Sequence, residues 1–199
     1  MRRIGNRIAR NARIWATGAA LLAAFTGAAA AHSFSVAILA GDAASAAQLP
    51  SAVRGFLVAS AERDGHPDET ADGHLGGLDV FVIPLPAASA AGIEGLIGGT
   101  PDAYDFVVVL GDDAAAADGV RGVVATTIVV APGVLPDAAQ MAGFAGQYRA
   151  RYSAPPDDAA AQGYNAARRI DLALRPFGGV SETEALRGAL AETARGLEW

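Results

Sequence analysis

The stretch Phe106-Val107-Val108-Val109-Leu110, closed by Gly111-Asp112-Asp113, decides how this chain folds. The run is unbroken, short and rich in β-branched residues, so it suits a strand better than a helix. A strand that is apolar at every position has both faces covered, as in parallel sheets sandwiched between helices. Gly111-Asp112-Asp113 then supplies turn and helix-cap chemistry.

Outward from this stretch, residues 34–40 (FSVAILA) form a second run of the same kind, stopping at Gly41-Asp42. Residues 78–83 (LDVFVI) form a third, ended by Pro84 and Pro86, and 122–130 (GVVATTIVV) read as a fourth strand. Helical patterns alternate with them. Pro50-Ser51 opens a helix that runs to about Arg63, with Val53, Phe56 and Leu57 on one face. Residues 64–77 are a polar, glycine-rich connection, 87–97 are a helix, and 114–118 form a short helical turn. After a turn at 132–136, the last third is helical over 137–152, 157–174 and 181–195. The last of these starts with Ser181 and Glu184 at capping-box spacing. Phe144, Tyr148 and Tyr152 recur every four residues and read as core. This order implies an α/β protein: a single three-layer lobe with a mostly parallel sheet of four to five strands and right-handed crossovers.

The N-terminus carries a different signal. Residues 1–13 hold five arginines and no acid, and an alanine- and leucine-rich stretch follows that ends in Ala29-Ala30-Ala31. A basic start, an apolar middle and a small-residue end make a secretory signal peptide, with cleavage expected near Ala31. The apolar run is interrupted by Thr17, Gly18, Thr26 and Gly27 and falls short of the roughly 20 apolar residues that span a bilayer. Residues 1–31 are therefore expected to be the signal and 32–199 a single domain, soluble in the periplasm with no membrane insertion after cleavage.

Composition narrows the function. The 199 residues include no cysteine, which excludes disulfides, zinc–thiolate sites and a cysteine nucleophile. All 15 basic residues are arginines. Without residues 1–31, ten arginines face 21 acids, a formal net charge of −11. So acidic a chain repels phosphate backbones and anionic lipid, which argues against nucleic-acid partners. It contains no G-x-S-x-G elbow, H-E-x-x-H, P-loop or dinucleotide fingerprint, so no enzyme activity is expected.

Phe144-Ala-Gly-Gln-Tyr148-Arg-Ala-Arg-Tyr152-Ser-Ala-Pro155-Pro156, followed by Gly163-Tyr164-Asn165-Ala166-Ala167 and by SETEALRGAL at 181–190, resembles a known pattern. It is similar to the C-terminal part of the type I periplasmic solute-binding proteins of ABC transporters, the branched-chain amino-acid (leucine-binding-like) group. The segments FSVAILAGD and RGFLVASAERDG resemble that family's first strand and helix. The resemblance implies a flavodoxin-like lobe that binds a small solute without catalysis, with an ABC permease as partner. Members of the family have two lobes. The middle of this chain is too short for a second, so one lobe is expected, with a homodimer or another periplasmic protein supplying a second wall.

Two regions carry candidate site residues. In open parallel sheets, ligands bind beyond the carboxyl ends of the strands. There, Ser45 can hold a carboxylate, and Asp42, Asp112 or Asp113 an ammonium or a cation; the resemblance implies the same loops. The second region packs Asp64, His66, Asp68, Asp72, His74 and Asp79 into one connection. From Asp68 onward its spacing partly follows a twelve-residue calcium loop, with Gly73 and Leu75 in place. A hard divalent or trivalent cation is the cofactor it would take, or a softer metal through the histidines. The expected function is solute capture for an uptake system. The alternatives are a periplasmic metal-binding or chaperone protein using 64–79, and a protein-interaction module without ligand.

Overall fold

The computed structural model describes residues 33–40, 43–64, 70–86, 104–111, 114–123 and 127–199. Strand β1 (Ser33–Ala40) is apolar at every position from Val36 onward because both of its faces are covered. Phe34, Val36, Ile38 and Ala40 point into one core, and Ala37 and Leu39 into another on the opposite face. Strands β2 (His74–Leu75), β3 (Leu78–Pro86), β4 (Phe106–Val109) and β5 (Ile128–Val130) complete the sheet. The order is β2-β3-β1-β4-β5. Only β2–β3 is antiparallel; β1–β3, β1–β4 and β4–β5 are parallel. The α/β lobe with a mostly parallel, helix-flanked sheet is thus the architecture the strand–helix alternation implies.

The larger core is capped by helices α1 (Ala43–Ala61), α3 (Ala142–Tyr152), α4 (Asp158–Leu174) and α5 (Thr183–Thr193). Helix α2 (Ala114–Val123) covers the other face, where Val120 meets Leu39, Val107 and Val109. Helix α4 is the most enclosed. Its Ile170 and Leu174 are fully buried, each contributing roughly 1.5–3 kcal/mol. Asp157 caps it, accepting from the Ala160 N–H at 2.8 Å. Small residues let α4 press on α1: a Cβ on Gly55 would lie 1.9 Å from the Ala160 carbonyl oxygen. Trp199 packs edge-to-face on Phe144 and at a tilt on Tyr164, and donates to Asn165 Oδ1 at 2.7 Å. Phe144 and Tyr148 are buried and Tyr152 packs against the same core, as their spacing implies.

Several boundaries differ from the sequence reading: β3 runs on through Pro84 to Pro86, and α3 starts at Ala142, five residues later than expected. Helix α1 starts at Ala43, so Pro50 lies inside it and not at its start. The alanine-rich approach favours helix, and Pro50 removes only one backbone hydrogen bond while Leu49 and Ala52 stay buried. The connection at 64–77 contains β2, because Gly76 and Gly77 both take positive φ and turn a tight hairpin into β3. Residues 122–123 belong to α2, leaving β5 only three residues long. The capping box at Ser181 does not form: Glu182 is the N-cap without a side-chain bond, and Glu184 pairs with Arg187 one turn on. The signal segment 1–31 and the helix expected at 87–97 lie outside the described residues.

Candidate functional site

The sheet order fixes where a ligand crevice belongs. Among the parallel strands, β3 lies on one side of β1 and β4 on the other, so the chain's winding reverses between β1 and β4. Their carboxyl ends are level: Leu39 pairs with Val109, and the Leu110 N–H donates to the Leu39 carbonyl at 3.0 Å. Helix α1 starts at this end, with half-buried Ser45 in its first turn. On the β4 side, Gly111 takes φ +76° and its N–H donates to Gln162 Oε1 at 3.1 Å. Gln162, on α4, thereby anchors the loop after β4 to the helix that crosses beneath it. No sequence signal points to that role, because nothing local links residue 162 to residue 111. Asp42, Asp112 and Asp113 lie outside the described residues.

The acidic connection is organised by hairpin pairing. His74 and Asp79 face each other across β2 and β3, with His74 Nε2 2.7 Å from Asp79 Oδ1. Asp64 Oδ1 lies 3.2 Å from Nδ1, so the ring has a carboxylate at each nitrogen. Asp72 stands apart: its carboxylate accepts from the Val82 N–H at 2.8 Å and serves the strand. Leu75, at an apolar position of the calcium-like spacing, is wholly buried in the larger core. Among the described residues no group of three or more His, Asp or Glu side chains is disposed to hold a metal. His66 and Asp68 lie outside them.

Beneath the hairpin, Asp171 is almost fully buried at the end of α4. It accepts from the Gly76 N–H at 2.8 Å and pairs with Arg175 and, at 3.7 Å, with Arg63. The Tyr164 hydroxyl donates to Glu62 Oε1 at 2.8 Å. Burial first, then that hydrogen bond, push the phenol well above its usual range. Arg169 is the other buried titratable side chain on α4, only 4% exposed. Burial alone lowers its pKa. The one local hint of it is that it follows Asn165 by a helical turn on a face that also carries Ala166 and Ala173.

No family model, curated protein or solved structure matches the chain.

Proposed function

We propose that this chain is a non-catalytic, single-lobe solute-binding protein, exported to the periplasm by residues 1–31 and serving an ABC-type uptake system. The observation that carries the reading is the sheet order, which puts a switch point between β1 and β4. Crevices of this kind hold ligands in open α/β sheets. The solute is a small zwitterion. Ser45 in the first turn of α1 receives its carboxylate, assisted by the positive end of the helix, and Asp42, Asp112 or Asp113 its ammonium. The two blocks of residues that resemble the leucine-binding-like family support the same reading, as does the export-like N-terminus.

The test is native mass spectrometry of the protein purified from a periplasm, followed by thermal unfolding against a panel of amino acids. A retained organic mass, and an amino acid that raises the melting temperature in the wild type but not in Asp112→Asn/Asp113→Asn, are expected. A bare protein that responds to no amino acid overturns the reading.

A further inference from the structure

A second cleft lies at the outer edge of the sheet, away from the switch point. Strand β5 is the last in the order, and beside it a cleft of about 520 Å³ opens between α2 and α5. That volume is in the range of small-molecule sites. Its wall is apolar at Ile128, Val129 and Leu190. Three arginines line it, Arg121, Arg169 and Arg187, and among the described residues no acid does. This is an unusual concentration of positive charge in a chain whose net charge is −6.

The three arginines are not equivalent. Arg121 pairs with Asp118 at 2.6 Å and Arg187 with Glu184, each one turn away on its own helix. Arg169 meets only neutral acceptors. It donates to the Ala131 carbonyl, to the Leu190 carbonyl at 2.7 Å and to Thr193 Oγ1 at 3.1 Å. Among the described residues it has no carboxylate partner. A buried guanidinium without a counter-charge is costly, and this one is held rigidly at the wall of an open cleft. Three of the five N–H groups of a guanidinium are engaged in these bonds, which leaves two for a ligand.

We propose that this cleft binds a small organic carboxylate with a branched aliphatic body. The carboxylate accepts from the remaining N–H groups of Arg169, and the body packs on Ile128, Val129 and Leu190. One uncompensated charge beside an apolar wall matches a monoanion with a hydrocarbon tail better than it matches phosphate, whose higher charge finds no second unpaired arginine.

The test titrates 3-methylbutanoate into the full protein and follows thermal unfolding, with 3-methylbutanamide and inorganic phosphate as controls. The carboxylate is expected to raise the melting temperature by about 5–10 °C at a hundredfold excess over Kd, and the amide to leave it unchanged. Ala191 lines the cleft and is exposed, so Ala191→Phe fills the cleft without touching the core. That variant is expected to fold normally and to weaken binding at least tenfold. Arg169→Gln should lose the response as well; should it fail to fold, Ala191→Phe decides alone. The proposal is overturned by no shift with about 10 mM carboxylate, where a millimolar Kd would give a visible rise, by equal shifts with the amide, by tighter phosphate binding, or by a wild-type response in Ala191→Phe. Asp112→Asn/Asp113→Asn should leave this response intact, so failure here and failure at the switch point are read separately.

Discussion

The backbone of α4 rests directly on α1 at Gly163 and Ala52: a Cβ placed on the glycine would lie 1.9 Å from the Ala52 carbonyl oxygen. Gly55 makes the reciprocal contact with Ala160. Backbone on both sides leaves no flexible side chain to yield. Gly163→Ala is therefore expected to destabilise the protein by about 3 kcal/mol, overpacking outweighing the gain of about 1 kcal/mol in helix propensity. Urea unfolding measures this, and an unchanged midpoint would mean that the two helices can separate without loss.

Tyr164 and Glu62 give a pH prediction. The folded-state pKa of Tyr164 is raised above the unfolded value of about 10. Above that pH the native state holds a proton that the unfolded chain has released, so stability falls as pH rises; below it the contribution is complete. Tyr164→Phe should cost about 1 kcal/mol at pH 8 by losing the hydrogen bond. It should also show a shallower loss of stability between pH 10 and 11 than the wild type. Parallel stability–pH curves for the two proteins would remove Tyr164 as the cause.

Asp171 joins the hairpin turn to the end of α4 through Gly76 and two arginines. Asp171→Ala removes a buried acceptor from all three and is expected to cost about 2–4 kcal/mol. Asp171→Asn keeps an acceptor for the Gly76 N–H and should lose less. Hydrogen exchange in residues 74–80 should quicken in the alanine variant before the rest of the chain responds. Uniform loss of protection would mean that the hairpin has no separate dependence on this contact.

The hairpin also bears on cation binding. Asp72 holds the Val82 N–H, so Asp72→Ala is expected to cost about 0.5–1 kcal/mol whether or not calcium is present. Urea unfolding with millimolar calcium or lanthanum, and again with chelator, compares the two. A cation-dependent stability that disappears in the variant would assign 64–79 to metal after all.

Much of the fold is legible from short-range signals. The unbroken apolar runs at 36–40 and 106–110 mark strands covered on both faces, and Asp157 marks the start of α4. The parts that differ from the sequence signals depend on tertiary partners. Pro50 looks like a helix start, but alanines before it extend the helix and Leu49 finds the core. The glycines at 76 and 77 look like loop residues, and they make a hairpin because Asp171, far along the chain, binds the turn. The edge cleft could not be seen at all. Its arginines come from α2, α4 and α5, and no spacing connects residues 121, 169 and 187.

The placement of Trp199 has a practical consequence. The chain has two tryptophans, Trp15 and Trp199. In the exported form proposed above, with residues 1–31 removed, Trp199 would be the only one left. Its ring lies among Phe144 and Tyr164, with its N–H fixed to Asn165. Its fluorescence therefore reports whether α3 and α4 are joined, a single-site optical readout that needs no label.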